Sequence, residues 1–155
     1  MRIAVILLAG LVAACSSPDP APSAQVMGAT PDALTSSDDT LNDLTITVRY
    51  DDGDGDLGGG TATIHDCRSD ELETMLAIPT IAAPDIVSSK DEITGELDLY
   101  VDDVGDQAAA TMPQACTDLG VAALSAGTTV FCIELTDLAG NTGSGSCTDP
   151  ITITE

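Results

Sequence analysis

The chain has 155 residues, room for one domain, and 26 acidic residues against four basic ones, a formal net charge of −22. That excess repels phosphate backbones and excludes nucleic acid as a partner, because counterion-release binding needs clustered Lys and Arg; divalent cations and basic protein surfaces are the electrostatically sensible ligands. Aromatic residues are limited to Tyr50, Tyr100 and Phe131, with no Trp, so sugar-stacking platforms are missing and any core is built from Val, Ile, Leu and Ala.

Residues 1–14 read M-R-I-A-V-I-L-L-A-G-L-V-A-A, one positive charge before an apolar run. This is the pattern of a secretory signal, too short to span a bilayer, which takes ~20 apolar residues. Val12-Ala13-Ala14-Cys15 follows. The four residues resemble the lipobox of bacterial lipoproteins. That resemblance implies cleavage before Cys15, lipid on its sulfur and acylation of the new amino group. Ser16 follows Cys15, which in such lipoproteins favours the outer membrane, at its periplasmic face or at the cell surface. Loss of Arg2 with the signal leaves three basic against 26 acidic residues, a balance of −23.

Residues 15–41 are rich in Pro, Ser, Ala and Asp and show no apolar period. They read as a disordered linker that holds the domain off the lipid, reaching roughly 25–30 Å as a coil. The folded domain is expected over residues 42–155.

Residues 44–50 alternate, with Leu44, Ile46, Val48 and Tyr50 on one face, as in a half-buried strand. Next comes Y-D-D-G-D-G-D-L-G-G-G-T, residues 50–61, and then a second alternating run, residues 60–67. The expectation is a hairpin, its glycines supplying positive φ. Residues 69–83 are open between a short helix and a strand, with Pro79 and Pro84 limiting both. Further strands are expected at residues 95–101, 128–136 and about 144–154, with a helical turn near residues 106–111. A turn at Asp137-Leu138-Ala139-Gly140-Asn141 precedes the last strand.

Strands punctuated by turns, without a long helix, predict an all-β domain. V-F-C-I-E-L-T-D-L-A-G-N-T-G-S at residues 130–144 is similar to the last hairpin of bacterial immunoglobulin-like domains. Y-D-D-G-D-G-D-L-G resembles the acidic turn of bacterial immunoglobulin-like and cadherin-like surface repeats. The resemblance covers the two ends of residues 44–155 and implies an immunoglobulin-like β-sandwich. The chain departs from such repeats in lacking a core Trp and in having four cysteines.

Those four, Cys67, Cys116, Cys132 and Cys147, imply two disulfides in an exported chain. Three pairings are possible. A regular hairpin around residues 137–141 would set Cys132 opposite Cys147, which puts Cys132–Cys147 with Cys67–Cys116 first.

Asp52, Asp54 and Asp56 alternate as the first ligands of calcium loops do. The EF-hand pattern then fails, because Leu57 stands where Gly is needed and Thr63 where Glu is needed. A calcium site would therefore be completed by carbonyls, water, Asp51 or Asp137. The alternative is a solvated turn, for which Asp and Gly are equally suited. Asp102, Asp103 and Asp106 form a second acidic group, read as a solvated loop. His65 is expected to face outward on its strand, with no nucleophile motif around it. No catalytic residue is identified. The expected function is a non-enzymatic envelope lipoprotein, bound to the membrane through Cys15 and presenting its domain to a protein partner. A calcium-dependent adhesion module and an inhibitor or accessory subunit of an envelope complex are the alternatives.

Overall fold

The computed structural model describes residues 19–35, 43–79, 92–102, 104 and 110–154. Val12 to Cys15, Asp103 and Asp106 lie outside them, as does most of the helical turn expected near 106–111. The described chain is mostly β, in ten strands and one short helix: β1 Ser23–Thr30, β2 Ala33–Thr35, β3 Leu44–Asp52, β4 Thr61–Asp66, β5 Glu73–Ala77, β6 Ile93–Val101, α1 Gln114–Asp118, β7 Thr128–Thr129, β8 Phe131–Thr136, β9 Ser146–Cys147 and β10 Ile151–Thr154. They form three sheets, ordered β1-β3-β6, β2-β10-β7 and β5-β4-β8-β9.

β3 is the central strand of its sheet, antiparallel to β1 on one side and β6 on the other. Its period of two buries Leu44, Ile46, Val48 and Tyr50, as alternation on a pleated strand requires. Phe131, Ile133 and Leu135 of β8 and Ala62 and Ile64 of β4 are buried in the same cluster. One aliphatic core therefore draws on both larger sheets.

Several expectations change. β1 occupies part of the stretch expected to be a disordered linker. Its side chains show no apolar alternation, and only Ala24 is fully buried. The strand is held by backbone pairing to β3, from Ser23 opposite Asp51 to Thr30 opposite Thr45, which leaves little trace in hydropathy. β3 and β4 are not a hairpin, since they belong to different sheets. The acidic stretch between them is a crossover, with Leu57 fully buried in the core. The open segment at 69–83 contains β5, an edge strand on β4. The strand expected over 128–136 breaks at Val130 into β7 and β8, which join different sheets, and the last strand likewise divides into β9 and β10.

Cys67 is bonded to Cys116 and Cys132 to Cys147. Cys132 and Cys147 face each other in the β8–β9 register. Nearby, the buried Arg68 is paired with the Asp66 carboxylate and donates to the Val104 carbonyl at 2.6 Å, while Thr129 Oγ1 donates to Asp66 Oδ1 at 2.6 Å. This buried charge is thus compensated within the fold.

Candidate metal centre

β3 ends by turning its inward face into the crossover. The parity that buries Val48 and Tyr50 also buries Asp52, which is 0% exposed, and leaves Asp51 facing solvent. Asp52 Oδ2 accepts the Leu57 amide at 2.8 Å. The chain then curls through Gly55 and Gly59, both at positive φ, and Gly60 donates to the Leu57 carbonyl at 2.9 Å. Burial of Leu57 fixes the middle of the loop, so Asp54 and Asp56 fold back over Asp52.

The last hairpin supplies the fourth carboxylate. Asp137 follows β8 and is 4% exposed. Its Oδ1 accepts the Asn141 amide and its Oδ2 accepts the Asn141 side-chain Nδ2, both at 2.7 Å. Leu138 donates its amide to the Asp56 carbonyl at 3.2 Å, tying turn to crossover.

One carboxylate oxygen from each of Asp52, Asp54, Asp56 and Asp137 lies within 4.8 Å of the others. Two ligands of one calcium ion, each at ~2.3–2.6 Å, can stand at most ~5 Å apart, so a single ion can touch all four. Asp52 Oδ1, Asp54 Oδ1 and Asp56 Oδ1 are buried and have no hydrogen-bond partner among the described residues. Buried acceptors without donors are costly, and a cation is the group that satisfies several at once. An all-oxygen, all-carboxylate set suits a hard ion such as calcium rather than zinc or copper.

The electrostatics show the same tension. Burial pushes the Asp52 carboxyl above its usual range; the Leu57 amide opposes this and the Asp54 charge adds to it. Asp56 is raised to about 6, first by burial and then by the charges of Asp137 and Asp54. A positive charge placed among these carboxylates would favour their ionised forms.

Of the five candidate ligands, the structure brings four together. Asp51 is not among them; it stands on the other face of β3, near Asp19 and Gly53. The hydrogen bond from the Asn141 amide to Asp137 is the turn chemistry expected of that carboxylate. What went unnoticed in the sequence is the Asn141 side chain, which also donates to Asp137, and Leu57, which anchors the loop; as the only apolar residue between Asp51 and Thr61, Leu57 was the available signal for a buried crossover.

The remaining chemistry is structural. His65 is largely buried rather than outward and open: its Nδ1 lies 3.4 Å from Glu73 Oε2 and its Nε2 3.1 Å from Glu134 Oε2. The grouped sulfurs of Cys67, Cys116 and Cys132 are spent in disulfides. Comparison of the chain with protein-family models, with curated proteins and with solved structures found no match.

Proposed function

We propose that the chain is a lipid-anchored envelope protein whose β domain is clamped by a calcium ion held by Asp52, Asp54, Asp56 and Asp137, and that the domain serves interaction rather than catalysis. One observation carries the calcium reading: three buried, unpartnered carboxylate oxygens converge with a fourth carboxylate. The ion's role is architectural, since Asp52 ends a strand of one sheet and Asp137 directly follows a strand of another. Four aspartates supply four or more of the 6–8 oxygens calcium takes; carbonyls or water complete the shell.

An immunoglobulin-like sandwich is supported by the main aliphatic core, to which both the β1-β3-β6 and β5-β4-β8-β9 sheets contribute. A non-enzymatic role is supported by His65, whose two nitrogens each face a glutamate instead of a nucleophile. Anchoring at Cys15, with outer-membrane sorting, rests on the lipobox.

The test is thermal melting with and without calcium. Ligand at ~100 times its Kd adds ~2.7 kcal/mol, so the melting temperature should rise clearly above that in EDTA. Asp52→Asn keeps an oxygen for the Leu57 amide but removes the buried charge. It should abolish the calcium shift without lowering stability in EDTA. Superimposable curves for the parent protein, or a full calcium shift in D52N, would remove the reading.

A further inference from the structure

We infer that Cys147 is a thiolation site: a small apolar thiol entering the hollow beside it opens the Cys132–Cys147 bridge, and the freed Cys132 passes the exchange to Cys67, releasing Cys116.

Three of the four bridged cysteines are closed to solvent. Cys67 is 1% exposed, and Cys116 and Cys132 are 0% exposed. Cys147, on the short strand β9, is only partly buried. It stands in the wall of a hollow of about 360 Å³, with Leu119, Val121, Leu124, Val130 and Pro150 around it. That is within the size range of small-molecule pockets. The hydroxyls there are already engaged: Thr128 Oγ1 donates to the Ser125 carbonyl at 2.8 Å, and Thr148 Oγ1 accepts the Phe131 amide at 3.1 Å. Among the described residues, no charged side chain lines the hollow. It therefore suits a thiol carried on an uncharged, apolar body, and the chain's net charge of −22 disfavours anionic thiols.

The second step rests on contact between the two bridges. Cys132 Sγ lies 3.5 Å from Cys67 Sγ, and both are within 4.8 Å of Cys116 Sγ. A sulfur–sulfur bond is ~2.0 Å long, so about 1.5 Å must close. A Cys132 sulfur no longer tied to Cys147 can turn about its χ1 to close it. The incoming thiolate attacks Cys147 Sγ, the Cys132–Cys147 bond breaks, and Cys132 leaves as thiolate. Cys132 then attacks Cys67 Sγ, the Cys67–Cys116 bond breaks, and Cys116 takes the proton that the incoming thiol gave up. One thiol is consumed and one is released, with no net oxidation or reduction. Apolar surroundings disfavour a buried thiolate, so Cys132 left alone would re-attack Cys147 and expel the adduct. Exchange with Cys67 engages it instead. The exchange also unties α1, which the Cys67–Cys116 bridge bonds to the strands.

The test uses the full chain carrying Cys15→Ser, which keeps a fifth sulfur out of the reaction. The folded, oxidised protein is incubated with benzyl mercaptan near pH 8, quenched with acid, unfolded, alkylated with N-ethylmaleimide and peptide-mapped without reduction. The expected map has the benzylthio group on Cys147, a Cys67–Cys132 crosslink and maleimide on Cys116. An adduct first on another cysteine, or none, overturns the site. Maleimide on Cys132 with Cys67–Cys116 intact overturns the passage to Cys67. Glutathione at the same thiolate concentration should add several-fold more slowly; an equal rate overturns the apolar preference. In C67A/C116A the freed Cys132 has only Cys147 to attack, so the adduct yield should fall several-fold, and a yield equal to the parent's overturns the relay. The parent's map decides the relay whether or not that variant folds.

Discussion

Asp56 holds its proton to about pH 6 in the folded domain, because burial and the neighbouring Asp137 and Asp54 charges disfavour its ionised form. An unfolded aspartate releases its proton near 3.8. Between these values the folded state binds more protons than the unfolded one. The stability that Asp56 contributes in EDTA is therefore full below about pH 4 and is lost as the pH rises toward 6. Calcium binds the ionised carboxylates, so its stabilising effect should grow across the same window. Melting in EDTA from pH 4 to 7 should show this decline, and Asp56→Asn should flatten it; a D56N slope equal to the parent's would put the tension elsewhere. Much of the site was legible at this scale. The D-x-D-x-D spacing marked Asp52, Asp54 and Asp56. Strand parity separates Asp52 from Asp51, since an inward Tyr50 places the residue two further on inward as well. The meeting of Asp56 with Asp137 was not legible, because it depends on how two sheets face each other.

Alternation along single strands located β3 and β6, whose side chains alternate between core and water, and the inward face of β8, whose other face is also covered at Cys132. It does not report which strand is the hydrogen-bonded neighbour, and a D/G-rich connection fits a hairpin and a crossover equally well. β1 escaped because pairing through the main chain needs no hydropathy pattern. The crossover's true contact is at Gly60, where a Cβ would lie 2.1 Å from the Thr136 carbonyl oxygen and 3.0 Å from Asp137 Cα. Backbone cannot yield as a flexible side chain does. Gly60→Ala should therefore push the crossover from the turn, destabilising the fold by at least ~1–3 kcal/mol and weakening calcium by separating Asp56 from Asp137. Urea unfolding and a calcium titration measure the two effects; an alanine tolerated within ~0.5 kcal/mol would mean the contact relaxes locally.

Across the whole molecule, the core contains one Phe and one buried Tyr among aliphatic residues, and the stabilising devices sit at opposite ends of it. Cys67, at the exit of β4, and Cys132, at the start of β8, bring the two disulfides together, with Cys67 Sγ 3.5 Å from Cys132 Sγ. The aspartates lie at the other end of the same strands, beyond Thr136 and before Thr61. Six residues of β8 separate the ends by ~20 Å. Bridges with sequence separations of 49 and 15 residues constrain the unfolded chain by ~4 and ~3 kcal/mol in the loop-entropy account. Calcium at ~100 times its Kd adds ~2.7 kcal/mol. Perturbations more than ~7–10 Å apart that share no partners add within ~0.5 kcal/mol. The Cys132–Cys147 bridge is the one to remove, since it closes a hairpin and leaves Cys67–Cys116 in place. Denaturant midpoints for the parent and C132A/C147A, each in calcium and in EDTA, complete the cycle. Near-additive losses are expected, each end tightening the fold independently. A coupling term above ~1 kcal/mol would show instead that β8 transmits strain from the disulfides to Asp137, making the cation site depend on the redox state of the far end.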